Sequence, residues 1–340
     1  MGQSLLEQAF EGKNKRIPVW FMRQAGRFLP EYRKIREKYS LGEMFRNPEI
    51  AAEVTCQPVD ILGVDAAILF ADILTLPAAM GFDVEFTPNN GPVIKNPIRT
   101  VRDLKKIHDL EGLEYLSKTI QIVNGELTKN VPLIGFAGSP FTVACYLIEG
   151  GSSSGFVKTL QLMHGAPAVF TGLLEKLTEN TIEYLRLQKT AGAKVYQIFD
   201  SWAGILRAAD YAHFVLPHLK KIFKEVKFPS IYYIRGAGHL LALADQLEAD
   251  FLSVCHEVVL GHNPVLEKTK KGVQGNLFNG LFYADKKVLE KEINDVLLGA
   301  RHYTRYIFNA GHGLLPDTDV EKVKLTIDVV RRFSWPVKGK

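Results

Sequence analysis

Short apolar, β-branched runs recur along this chain with longer amphipathic stretches between them, and that alternation restricts its fold more than any other feature. The runs fall at 17–22, 66–70, 131–136, 194–199, 230–234, 250–254, 272–275 and 305–308. Strands of this kind are buried on both faces, as in parallel sheets covered by helices. The stretches 208–226, 237–249, 285–302 and 320–333 carry apolar residues at helical spacing. Repeated β-then-α units predict an α/β chain: a single-domain (β/α)8 barrel of the TIM type over residues 1–340. In such a barrel the active site lies at the C-terminal ends of the strands. A doubly wound open sheet is the alternative, because counting strands does not establish closure. The longest insertion, 139–192, contains a Gly and Ser tract at 150–155. That tract suits a loop covering a site as well as it suits a plain linker.

Composition excludes several classes of function. At 340 residues and 46% hydrophobic content, a large core needs no crosslinks. Cys56, Cys145 and Cys255 are far apart and form no C-x-x-C pair, which predicts no disulfide framework and a reducing, cytoplasmic setting. The net charge of +5 is spread along the chain, and only 268–271 resembles a basic run. Nucleic acid is therefore not an expected partner, whereas a small polyanion is compatible. The first residues lack the apolar run of a signal peptide, and Gly2 is followed by Leu6 where a myristoylation signal carries Ser or Thr. No run reaches membrane-spanning length, so no membrane association is expected.

Polar residues follow the runs. After the first come Arg23, Gln24, Ala25, Gly26 and Arg27; after the second comes Asp72. The third leads through Ser139-Pro140 to Tyr146, the fourth to Ser201, the fifth to Arg235, and the last to His312 between two glycines. Gly26 and Pro30 shape an irregular loop that places Arg23 and Arg27 at a barrel mouth. Guanidinium forks suit carboxylates because they donate paired hydrogen bonds and keep their charge. Each residue also has a plain structural reading. The arginines could be solvated, Asp72 could cap a helix, His312 could be a satisfied loop residue, and Tyr146 and Ser201 could serve packing or capping. The Gly236-Ala237-Gly238 stretch is no dinucleotide loop, because Leu241 stands where the third glycine belongs.

Taken together, these segments carry a resemblance. The 22–32 stretch MRQAGRFLPEY closely resembles the signature near the start of the uroporphyrinogen decarboxylase family, and 135–142, GFAGSPFT, resembles its second signature. FADIL at 70–74, FDSWAG at 199–204 and FNAGHG at 308–313 match in the same order. The resemblance runs from about residue 17 to residue 333. It implies a homodimeric (β/α)8 enzyme, without metal or organic cofactor, that removes the four acetate carboxyls of uroporphyrinogen III to give coproporphyrinogen III. It also implies substrate contacts at Arg23, Gln24, Ala25, Gly26, Arg27, Asp72, Tyr146, Ser201 and His312, and at Arg36, which matches a family arginine. Asp72, Arg23, Tyr146 and His312 are the residues it implies for the chemistry. The departures are Ala71 for the usual serine, Cys255-His256 for an Asp followed by Trp, and Phe278-Asn279 for Asp-Pro.

Loss of CO2 from a pyrrole acetate leaves a carbanion, and protonating the pyrrole at its α-carbon creates the ring that accepts those electrons. One carboxylate at Asp72 could receive the four pyrrole N–H groups and counter the developing cation. Arginine, with a pKa above about 12, is a poor acid, which leaves His312 or a bound water to deliver the proton. Rival readings are a zinc-dependent methyltransferase, for which Cys255-His256 is the only adjacent donor pair, and a non-catalytic tetrapyrrole-binding protein. A Schiff-base aldolase would want a lysine at a strand's C-terminal end, and Lys194 begins its strand.

Overall fold

Seven of the expected strands pair into one curled parallel sheet whose spatial order follows the chain. The computed structural model describes residues 3–87, 91–128 and 130–335, so the expectation attached to Gly2 lies outside the described residues. In chain order the strands are β1 (Ala67–Ile68), β2 (Val84–Thr87), β3 (Gly91–Ile94), β4 (Leu133–Gly138) and β5 (Val195–Asp200). Then come β6 (Ser230–Ile234), β7 (Phe251–Val254), β8 (Gly272–Leu277) and β9 (Tyr306–Ala310). The sheet runs β1-β4-β5-β6-β7-β8-β9, which rules out the doubly wound alternative because the strand order never reverses.

The 17–22 segment departs from expectation. It lies against β9 but makes a single parallel bridge, Val19 with Phe308, and no strand of its own. Pro18 has no amide to donate, and the Met22 amide is taken by the Asn309 side chain at 3.2 Å. The segment nevertheless meets both edges of the sheet. Phe308 donates to the Pro18 carbonyl at 2.9 Å, and Asp65, just ahead of β1, donates to the Val19 carbonyl at 2.8 Å. The Asp65 carboxylate adds a fork to Arg16, at 2.8 and 2.6 Å, and accepts the Val19 amide at 2.9 Å. β1 is shorter than expected because the Phe70 amide turns to Thr55 Oγ1 at 3.0 Å.

The helices at Lys286–Ala300 and Val320–Arg332 match their amphipathic patterns. The 208–226 stretch is broken into Ala208–Asp210 and Leu216–Glu225 by a π-turn at Tyr211–Val215, with Pro217 in the first turn of the helix that follows. The 237–249 stretch yields only a 3₁₀ turn, Gly238–Leu240, and one helical turn, Leu241–Ala244, since the chain must reach β7 at residue 251.

Insertion 139–192 forms three helices, Pro140–Glu149, Val157–Gly165 and Pro167–Ala191. The β2–β3 hairpin is unforeseen by the sequence pattern. It pins the glycine tract: Val93 bridges Gly151 and the Ile94 amide donates to the Gly150 carbonyl at 3.0 Å. Between the strands lies a buried polar layer centred on Gln274. Gln274 donates to Gln197 Oε1 at 2.9 Å and to Ser253 Oγ at 2.8 Å, and accepts the Trp20 indole N–H at 3.0 Å. No helix among the described residues is long and apolar enough to cross a membrane.

Candidate active site

Where the parallel strands end, a cleft of about 440 Å³ opens between their loops. A second lobe of about 550 Å³ adjoins it, sharing Arg23, Ala25, Asp72 and Pro92 as walls. Ser201 directly follows β5, Arg235 follows β6 and His312 lies two residues past β9, so the opening is at the C-terminal edge of the sheet. Of the residues singled out from the sequence, Arg23, Ala25, Asp72, Tyr146, Ser201 and His312 line the inner lobe. Gly26, Arg27 and Arg36 line the outer one. Size alone would not choose this site. A groove of about 780 Å³ lies on the outer helices, but all its lining charges except Asp109 are spent on one another, in Arg186–Glu183, Arg186–Glu225 and Lys221–Glu179 pairs.

Gln24 corrects the sequence reading. Its side chain is fully buried, accepting the Phe21 amide at 3.0 Å and donating to the Ala66 carbonyl at 2.9 Å. Both ends of the amide are thus used to tie the arginine loop to β1, and it does not line the cleft. Its neighbour Arg23 takes a left-handed backbone, φ 60°, which is unusual for a side-chain-bearing residue and costs about 1–3 kcal/mol. The loop holds that shape through the Met22 carbonyl, which accepts the Leu314 amide at 3.0 Å. The stem of Arg23 then crosses Gly313, where a Cβ would come within 2.5 Å of Arg23 Cδ. Only glycine leaves that passage open.

Asp72 is the single acidic side chain lining either lobe among the described residues. It is not the cap of the following helix, Thr75–Ala79, whose N-cap is Leu74 and lacks a side-chain cap. One carboxylate oxygen accepts the Leu74 amide at 2.8 Å; the other accepts no hydrogen bond among the described residues. Burial pushes this carboxyl above its ordinary value, while the Leu74 amide and the Arg23 guanidinium pull it back. The Tyr146 hydroxyl is raised as well, first by burial and then by the nearby Asp72 charge.

Cations rim this acid without pairing to it. Among the described residues, Arg23, Arg27, Arg36 and Arg235 form no ion pair. Arg36 spends one N–H on the Tyr39 carbonyl at 2.7 Å. A site with one acid and a surplus of unpaired guanidinium groups is built for a polyanion that also carries N–H or cationic character at its centre.

His312 is held by Tyr233. The two rings are stacked at 6.5 Å, and the Tyr233 hydroxyl lies 3.1 Å from His312 Nδ1 and 3.1 Å from the Gly311 carbonyl. A phenol has one proton to give. Donated to the carbonyl, it leaves Nδ1–H to donate to the phenol oxygen and Nε2 as the free lone pair. Burial, then Arg23 and Arg235, push the imidazole pKa down to about 3. The unfolded chain binds a proton near 6.5 that the folded site refuses, so the neutral ring's contribution to stability is full above 6.5 and is lost as pH falls toward about 3. In the ligand-free protein the His312 ring is expected to stay neutral from pH 8 to about pH 5, as read by NMR of labelled histidine. A midpoint near 6.5 would refute that.

The Ser201–Trp202 loop rests on Asp200, which is fully buried. Its carboxylate accepts Thr142 Oγ1 and the Tyr232 hydroxyl, each at 2.8 Å, and Tyr232 is 2.8 Å from the Tyr211 hydroxyl. Gly204 sits on the next loop's backbone: a Cβ would lie 2.5 Å from the Gly236 carbonyl oxygen. Arg235 and Trp202 were not among the residues picked from the sequence for substrate contact. Arg235 was findable, since it follows its apolar run just as Arg23 does. Cys255 donates its thiol to Glu257 and accepts the Gly236 amide at 3.1 Å, and burial raises it, so it is no thiolate. No group of three or more His, Cys, Asp or Glu side chains among the described residues could hold a metal ion, which leaves the zinc methyltransferase reading without a donor set.

The family model described as uroporphyrinogen decarboxylase (URO-D) matches residues 1–333. The uroporphyrinogen decarboxylase of Carboxydothermus hydrogenoformans is 42% identical over 340 residues, covering 98% of this chain and 97% of the relative. That of Trichlorobacter lovleyi is also 42% identical, over 98% of this chain and 99% of the relative. Among solved structures, a methyltransferase from Methanosarcina mazei superposes with a TM-score of 0.79 over 97% of this chain and 98% of its own. At 18% identity that likeness speaks for the fold alone.

Proposed function

The chain belongs to the uroporphyrinogen decarboxylase family, and we propose that the two-lobed cleft is where it removes acetate carboxyls from uroporphyrinogen. It is a carboxy-lyase of porphyrin biosynthesis. The observation that carries the assignment of the cleft is Asp72, one acid at the junction of two lobes rimmed by unpaired arginines. In this reading the bowl-shaped macrocycle turns its four N–H groups toward Asp72, whose free oxygen accepts them. Protonation of a pyrrole α-carbon then makes a cationic ring, and the C–CO2 bond breaks into it as CO2 leaves. Protonation of the resulting exocyclic methylene gives the methyl, and loss of the α-carbon proton restores the pyrrole. Asp72 stabilises that cation by about 3–4 kcal/mol, the scale of one preorganised electrostatic partner. Arg23, Arg27 and Arg36 hold peripheral carboxylates, each charge-assisted bond contributing about 1.5–3 kcal/mol. Ala25, Gly26, Tyr146 and Ser201 complete the wall. His312, neutral in the free site, offers Nε2 as a relay for a proton brought by water. Gln24 supports the loop from behind.

The finer architecture follows the same reading. The bonds of the 17–22 segment to both β9 and the approach to β1 support one closed eight-unit barrel in a single domain. A homodimer in the cytoplasm rests on the family resemblance, and the three free, buried cysteines suit a reducing compartment.

Anaerobic incubation with uroporphyrinogen, followed by counting product carboxyls, tests the assignment. Conversion to the tetracarboxylic product is expected; unchanged octacarboxylate with bound ligand would make this a non-catalytic tetrapyrrole binder. Arg27→Ala is expected to weaken binding of the octacarboxylate by about tenfold, and of a partly decarboxylated intermediate by less. Equal weakening in a titration of both would argue against an acetate contact.

A further inference from the structure

We propose that Arg235 is a further substrate-binding residue, clamping a propionate on the side of the macrocycle remote from the arginine loop. The proposal rests on the reading that the cleft takes uroporphyrinogen. Its first support is position around the sheet. Going from the 17–22 segment to β6 in one direction crosses β9, β8 and β7; the other direction crosses β1, β4 and β5. Arg235, at the end of β6, therefore leaves the sheet three strands away from the segment that carries Arg23, although both charges reach His312. Arg23, Arg27 and Arg36 all arise from the first 36 residues, on one side only. A macrocycle bearing carboxylates on all four rings, centred over Asp72, needs a cation on the far side as well.

The second support is the state of the side chain. Arg235 is half-buried and lines the inner lobe. Its guanidinium forms no hydrogen bond and no ion pair to any described residue, so all five N–H donors are unspent. The charge is not idle in its placement. It lies over the Trp202 ring, 5.9 Å from the centroid, a cation–π contact that uses none of its N–H donors. Glu257, the nearby acid, feels Arg235 only at longer range and accepts the Cys255 thiol instead. A partly desolvated, oriented and unpaired guanidinium at a cleft wall fits a carboxylate ligand. The carboxylate is assigned to a propionate because Arg235 springs from a different strand end than the arginine loop, to which the proposed reading gives the acetates. Propionates survive the reaction, so the contact persists from substrate to product.

Arg235→Gln, assayed anaerobically, is expected to raise KM for uroporphyrinogen about tenfold or more, with kcat within about twofold. The heptacarboxylic intermediate should suffer the same KM change, because a propionate contact is common to both. In the wild-type protein, phenylglyoxal should label Arg235, and saturating coproporphyrinogen should abolish that labelling as read by peptide mass spectrometry. This second measurement stands whether or not the variant folds. Wild-type turnover with an unchanged KM in the variant, or labelling that product does not suppress, overturns the Arg235 assignment alone. A fall in kcat at constant KM overturns it too. A wild-type protein that leaves uroporphyrinogen intact overturns both this proposal and the reading it rests on.

Discussion

Asp72→Asn is expected to bind uroporphyrinogen and turn it over about 10²–10³-fold more slowly than the wild type. The substitution keeps size and one acceptor oxygen, so the Leu74 amide retains its partner. What disappears is the only negative charge lining the cleft among the described residues. If the ring becomes cationic in the slow step, that charge interacts more strongly with the transition state than with the neutral substrate, and the loss falls on kcat. Burial raises this carboxyl, so the ionised form that the mechanism needs is held partly by Arg23. Arg23→Gln should therefore move the acidic limb of the activity profile to higher pH. Near-normal kcat in Asp72→Asn would remove the cation-stabilising role.

The largest effect on stability is expected at Asp200→Ala. Truncation strips the Thr142 and Tyr232 hydroxyls of their acceptor in a fully buried position, and Tyr211 hangs from Tyr232. Leaving buried hydroxyls unpaired costs about 1–3 kcal/mol apiece, so a loss of about 3 kcal/mol and a midpoint lower by roughly 6 °C are expected. The Trp202 amide donates to Thr142 Oγ1 at 3.3 Å, so the loop carrying Ser201 and Trp202 loosens with it. kcat/KM measured well below the new midpoint should fall as well. A lower midpoint with unaltered kcat/KM would mean that Asp200 supports the fold and not the site. Asp200→Asn, which keeps one acceptor, should lie between the two.

The parallel α/β character was legible in the chain, because strands buried on both faces must be apolar along their whole length. The sequence also determined which strand ends bear arginine, acid and histidine, since residues leaving a buried strand have only one rim to occupy. What it could not decide is local competition for hydrogen bonds. Whether 17–22 forms a ladder depended on Asn309 taking the Met22 amide, 287 residues away. Whether Gln24 meets ligand or backbone depended on the carbonyl of Ala66 lying within reach. The β2–β3 hairpin and the pinning of the glycine tract arise from its contact with Gly150 and Gly151, a pairing that no periodicity encodes. Arg235 shows the same division. Its place after an apolar run was visible in the chain, yet its lack of a partner exists only once every neighbouring acid has been placed. Periodic burial is a local property of a chain, whereas the pairing of a polar group is settled by whatever the fold brings beside it.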